Sequence, residues 1–477
     1  MQDTRLLELL RTFSPAELTA FGKYLRSPYH NLREDVMLLF DYFFEKKDAK
    51  PQRGNKAGVF EKETVFKAIF PKEIFEEKRL AYTVSFLHQL AQKFLVINEL
   101  ETESEAAFQL RLAKSLRRRG LERHYETALK KAEDALESQP HRHLDYHYLS
   151  HLLHLERYES GARERRTASR HFQELADAGD LFFIANKLRQ SCMALMHKAV
   201  SEADLRLELL DEVLAQVERQ NLTQTPAVGV WYFGYRALSE AEPRPWFGQL
   251  REAMRQQVGR FPKAELREVS TLAVNCCIRQ INTRREAGEQ EFWLGQVFEI
   301  YKEGLNNQVF IENGVLSRFT YNNIANAGLG LKAFDWVEAF LTKYKDLLEP
   351  RHRESAYLFN LASLHFRKPD YGRAMELLTQ AEFDDVLHNL DARRMLLRIY
   401  FDLGEVAALD SLLDSFTIFL RRRRDVGYLR QHYLNLIRFT KKLLQTPASE
   451  RAAREKLRSE ITDCKALAER EWLLGKL

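Results

Sequence analysis

Apolar residues recur along this chain at spacings of three and four, the period of an amphipathic helix. Leu80, Val84, Leu87, Leu90 and Phe94 form one such stripe and predict a long helix over about Phe75–Glu99. Nearer the start, Ser14-Pro15-Ala16-Glu17 reads as a capping box, with Ser14 at the N-cap, proline at the first helical position and Glu17 reaching back. The helix it opens ends near Arg26, because Ser27-Pro28 disfavours further helix. A second helix is expected from Leu32 to Glu45, then a polar loop from Lys46 to Gly58 and a short helix before Pro71. From about residue 104, helix follows helix. Breaks are expected near Gly120, Gln139-Pro140, Gly161, Gly179, Pro226, Pro243-Arg-Pro245, Phe261-Pro262, Gly288, Gly314, Pro350, Lys368-Pro369, Gly404, Gly427 and Pro447. Helices of this length, each with a narrow apolar face, need neighbours on both sides.

Toward the C-terminus the pattern acquires a period. Ala339, Ala374 and Ala408 stand 35 and 34 residues apart, each just inside a helix that follows a short polar turn. That is the period of tetratricopeptide-like helical hairpins. Small residues suit the point where two helix axes approach to about 8–10 Å. On this phase Leu361 and Ala362 line one helix A, and Ala374, Leu378 and Ala381 its helix B. Met395 and Leu396, then Ala408, Leu412 and Ser415, repeat the arrangement. The predicted fold is all-α: an α-α superhelix of tetratricopeptide-like hairpins with a small N-terminal helical domain. Its parts are 1–100, an N-terminal helical domain; 101–310, degenerate helical hairpins; and 311–477, recognisable repeats with basic terminal helices.

The runs Leu10-x-x-Phe-Ser-Pro-Ala-Glu-Leu18 with Ser27-Pro-Tyr-His-Asn31, Asp180-Leu-Phe-Phe-Ile-Ala-Asn-Lys-Leu-Arg189, Ala374–Asp385, Leu390–Tyr400 and Phe416–Arg422 carry a resemblance. They look like segments of a bacterial family of all-helical proteins of about this length, with tetratricopeptide-like C-terminal repeats. The resemblance implies the architecture and supplies no catalytic residue.

Composition narrows the function. The 477 residues are 45% hydrophobic and 30% charged, as in an ordinary folded protein. No apolar run approaches the roughly 18 residues that would suggest a membrane helix. The first residues alternate charge with leucine, unlike a signal peptide. Cys192, Cys276, Cys277 and Cys464 form no CxxC and read as reduced thiols, which predicts a cytoplasmic location. From Arg421 onward there are 15 Lys and Arg against 7 Asp and Glu, a surplus of eight that leaves the preceding residues at −3 of the total +5. A nucleic-acid partner, if any, is therefore expected at Arg421, Arg422, Arg423, Arg424, Lys441 and Lys442. The plainer reading is a solvated helix end where cations suit the dipole.

Other constellations are weaker. His143, His147 and His151 recur every fourth residue and share a helical face, the spacing of a metal pair. No HExxH or nearby cysteine completes a site, so a polar helix face is expected, and metal-dependent activity is a remote alternative. Gly328-x-Gly330-x-x-Ala333 matches a dinucleotide fingerprint but lies in a helical context without the strand it needs. No P-loop or GxSxG is present, so no enzyme activity and no cofactor are expected. By repeat phase Asn360, Arg367, Arg393 and Arg394 face the inner surface of the hairpin stack and are the candidate partner-binding residues. Asn followed one repeat later by Arg is similar to a carboxylate clamp of some tetratricopeptide proteins. Ile324 and Gly328 stand where that clamp takes Lys and Asn, which favours ordinary interhelical hydrogen bonding. The expected function is a scaffold or adaptor that binds a protein or peptide. RNA or ribonucleoprotein binding through the basic C-terminal region is the alternative.

Overall fold

The computed structural model describes residues 4–46, 60–161, 168–198, 205–284, 286–380, 386–423, 426–427, 429–447 and 449–477. Ala381, Arg424 and the polar stretch after Lys46 up to Gly58 lie outside them. The fold is all-α: 23 α-helices and one short hairpin among the described residues. No helix among them is long and apolar enough to cross a membrane. The chain forms two compact units, 1–139 with 146–179, and 140–145 with 180–477.

The first unit begins with α1 (Arg5–Leu10), α2 (Pro15–Arg26), α3 (Glu34–Lys46), α4 (Lys62–Ile69) and α5 (Glu77–Glu101). Leu6, Phe21, Leu25, Val36, Leu39, Phe66 and Leu87 are interior to this group and form its core. The capping box is present: Ser14 Oγ accepts from the Glu17 amide at 3.2 Å, and the Ser14 amide donates to Glu17 Oε2 at 2.7 Å. Leu32, expected inside the second helix, lies outside α3 and is 83% exposed. Asn31 explains the later start, because its side chain bonds the carbonyls of Leu25 and Arg33 and the amide of Arg33, holding a turn there. The α5 stripe is as predicted except that Thr83 is more deeply buried than Val84. Thr83 donates to Asp35 at 2.8 Å, and Arg33 grips the same carboxylate. α6 (Glu105–Arg118), α7 (Glu122–Ser138) and α8 (Leu144–Gly161) follow, with a separate core around Ala113, Tyr125 and Ala132.

The break expected at Gly179 is absent. α9 (Ala168–Lys198) runs through it. Gly179 is there for space: a Cβ would stand 3.2 Å from Nδ1 of His151.

The second unit continues with α10 (Leu210–Arg219), α11 (Pro226–Ser239), α12 (Pro243–Gln256), α13 (Lys263–Thr283) and α14 (Ala287–Asn306). Proline at the first position of α11 and α12 marks both starts as read from sequence. Around Gly314, which has φ +79°, the chain makes a two-stranded antiparallel hairpin, β1 (Ile311–Glu312) and β2 (Val315–Leu316), rather than a simple break. After it come α15 (Arg318–Gly330), α16 (Phe334–Tyr344), α17 (Arg353–Arg367), α18 (Tyr371–Gln380), α19 (Val386–Leu403), α20 (Val406–Arg422), α21 (Leu429–Gln445), α22 (Arg451–Asp463) and α23 (Arg470–Gly475). Neighbours in sequence pack together: α11 on α12, α13 on α14, α17 on α18 and α19 on α20. Alternate helices also touch, α15 on α17 and α17 on α19.

The alanine phase holds at one of its three positions. Ala374 is fully buried with Leu377 and Leu378. Ala339 is exposed, and Val337, Phe340 and Leu341 are the buried residues of α16. In α20 the buried stripe is Leu409, Leu413 and Phe416, one residue later than Ala408, Leu412 and Ser415. Large apolar side chains outweigh a small one in choosing the buried face, because burying Leu or Phe gains more. Gly328 and Gly330 lie in the last turn of α15. A Cβ on Gly328 would meet Val337 Cγ2 at 2.5 Å, so the glycine permits α16 to approach.

Candidate functional site

α17 and α19 lie side by side, each burying an apolar face: Ala356, Phe359, Ala362 and Phe366 on one, Leu390, Met395, Leu397 and Ile399 on the other. What those faces leave outward places Arg367, in the last turn of α17, near Arg394 and Arg398, one turn apart on α19. Arg394 Nε donates to Asp391 Oδ1 at 3.0 Å, and its Nη1 bonds Glu469 Oε1. Arg398 Nη1 donates to the other oxygen, Glu469 Oε2, at 2.8 Å. One carboxylate thus bridges two guanidiniums. The Arg398 guanidinium also faces the rings of Phe366, at 4.9 Å, and Trp472, at 5.6 Å.

Charge balance sets the character of this cluster. Burial works against the charged form of Arg394, but Asp391 and Glu469 outweigh it and raise its pKa. Arg367 goes the other way. Desolvation, then the charges of Arg394 and Arg398, lower its pKa, and Glu469 offsets them only in part. Among the described residues Arg367 has no hydrogen bond or ion pair. Lys476 and Asp402 pair nearby at 2.8 Å. The arrangement has a cation to spare.

The other sequence candidates lie elsewhere. Asn360 is fully buried and donates to Asn322 Oδ1 and to the Ala356 carbonyl, so it offers no surface group. Arg393 turns toward α20: its Nε donates to Asn389 Oδ1, and its guanidinium covers the ring of Phe419 at 4.8 Å. Arg398 and Glu469 were missed by sequence reasoning. Arg398 had a signal, standing four residues after Arg394. Glu469 had none, lying 75 residues from Arg394.

Arg421, Arg422 and Arg423 are exposed at the end of α20. Lys441 and Lys442 are engaged, by Asp414 and Glu460. His143 precedes α8, half-buried, and desolvation lowers its pKa. His147 and His151 are on the helix. Among the described residues no three His, Cys, Asp or Glu side chains are grouped to hold a metal ion. A cleft of about 370 Å³ among α13, α14 and α15 is lined by Arg267, Thr271, Asn275, Tyr301, Thr320 and Asn323. Its cation is committed, since Arg267 donates to the Val309 carbonyl and pairs with Glu312. The Cys192, Cys276 and Cys277 thiols are buried and pushed upward by desolvation, Cys276 to about 12, while Cys464 is partly exposed.

No protein-family model matches this chain, and comparison with curated proteins finds no match.

Proposed function

We propose that this protein is a non-enzymatic helical scaffold, acting in the cytoplasm, that binds a protein or peptide through the outward side of α17 and α19. One observation carries the reading: Arg367 is left without an acceptor beside Arg394 and Arg398. Arg367 is exposed on this side, and a partner's anion would find there a guanidinium with no bonded acceptor, beside two further cations. The RNA alternative has less support. Lys441 and Lys442 already have carboxylate partners, and Arg421 and Arg422 occupy a helix C-terminus, where cations are favourable without any ligand.

The test is affinity capture from the native cell with the intact protein, with and without nuclease. A protein partner that survives nuclease, and is lost from the Arg367→Gln/Arg398→Gln variant, is the expected result. Capture that disappears with nuclease and falls steeply with salt would favour the basic C-terminal region instead.

A further inference from the structure

We propose that the Arg367–Arg394–Arg398 cluster takes a side-chain carboxylate of an acidic peptide, and that Glu469 is its resident intramolecular competitor. The proposal rests on the peptide-binding reading above and names both the ligand chemistry and a control built into the chain.

The resident occupant fits incompletely. Glu469 bonds Arg394 and Arg398 but reaches Arg367 only through its charge, without a hydrogen bond. Arg398 Nε is also buried without a hydrogen-bond partner. Glu469 sits at φ +56°, in the left-handed region that a side chain enters only at some cost. Its carboxylate is nonetheless 16% exposed and paired to two arginines, while the following helix is anchored by Leu473, which is fully buried. The backbone at 469 is thus held in an unfavoured conformation in which its carboxylate fills the arginine pair. An incoming carboxylate that also reached Arg367 would complete what Glu469 leaves unfinished.

Carboxylate is the chemistry shown at the site itself. The two oxygens of Glu469 are shared between two guanidiniums, a pairing that planar forks favour. The rings of Phe366 and Trp472 already face the Arg398 guanidinium. A peptide bearing Glu or Asp side chains fits these features.

The test uses the full-length protein and a fluorescein-labelled hexaglutamate peptide with an amidated C-terminus, so that only side-chain carboxylates are offered. Anisotropy titrations compare the wild type, Glu469→Gln, and Glu469→Gln combined with Arg367→Gln. Removing the competitor should tighten binding by at least about fivefold. The added Arg367→Gln should return affinity to the wild-type level or below. Glu469→Gly is the second variant should Glu469→Gln melt early, because glycine removes the carboxylate and relaxes the positive φ. Equal affinity of wild type and both Glu469 variants overturns the competitor role. If that shared affinity is lost on Arg367→Gln, the peptide-binding reading still stands. No binding by any variant overturns the carboxylate site, whereas a nuclease-resistant partner in the capture experiment would leave the scaffold reading intact. Displacement by inorganic phosphate as effectively as by unlabelled peptide also overturns the assignment to carboxylate.

Discussion

Asn360 donates its side-chain amide to Oδ1 of Asn322 at 2.5 Å, joining α17 to α15 across 38 residues of sequence. Asn322 in turn meets His388 of α19 at 2.6 Å, and His388 stacks on Phe359. Three alternate helices are therefore linked by one polar chain. A buried amide that loses its partner keeps its desolvation cost. Asn360→Ala should destabilise the second unit by about 1–3 kcal/mol. The Asn322→Ala/Asn360→Ala double variant should cost less than the two single changes summed. Urea unfolding followed by circular dichroism measures both. Additivity would mean the pair is uncoupled.

The register of the helix crossings gives a second test. Ala374 is fully buried, so Ala374→Leu overfills its contact and should cost about 1–3 kcal/mol. Ala339 is exposed, and Ala339→Leu should stay within about 0.5 kcal/mol of the wild type. Thermal melts of the two variants should separate clearly. A loss of the size expected for Ala374→Leu at both positions would restore the alanine phase read from sequence.

Gly328→Ala tests the approach of α16 to α15. The added methyl would lie 2.5 Å from Val337 Cγ2 and 3.1 Å from Phe298 Cε2, both interior atoms. A loss of about 1–3 kcal/mol is expected in denaturant unfolding. Pairing it with Val337→Ala, which vacates the contacted atom, should make the combined loss smaller than the sum. A full sum would show that the strain lies elsewhere.

Glu265 supplies a pH dependence. It is buried in α13 beneath Trp231, whose Nε1 donates to Oε1 at 3.4 Å, and desolvation raises its pKa to about 7. Arg189 lowers it in part, while Glu268 and Asp145 add to the rise. The folded protein therefore binds this proton more tightly than the unfolded chain. The stabilisation is full below the unfolded value near 4.5 and is lost as pH rises through about 7. Glu265→Gln should flatten that decline, with a gain over wild type on the order of 2–3 kcal/mol at pH 8. Guanidinium unfolding at pH 5 and pH 8 measures it. A wild-type stability that rises over this interval, while the variant's stays flat, would contradict the assignment.

Local features of the fold were legible in the sequence because they depend on a few neighbouring residues. The Ser14 capping box and the helix starts at Pro226 and Pro243 need only their own turn. The face a helix buries depends on every neighbour it packs against. Ala339 and Ala408 misled for that reason: Val337 and Leu409 offered more apolar surface, and the helices rotated to bury them. Gly179 misled in the opposite sense. Glycine is a frequent terminator, yet here it makes room for the ring of His151. At the candidate site, Arg367 and Arg394 could be placed on neighbouring helices from the period alone. Their counter-charge could not, because Glu469 arrives from a distant segment with no repeat to align it.

The distribution of thiols makes this chain convenient for optical work. Three of its four cysteines are sealed in the interior, where the reactive thiolate is strongly disfavoured. Cys464 remains, five residues before Glu469 on the segment that leads to α23. An environment-sensitive maleimide dye should therefore attach at one place in the unmutated protein. That place lies next to the part of the chain whose displacement by an acidic peptide is in question, so a change of emission on adding the peptide would record the exchange without engineered labelling.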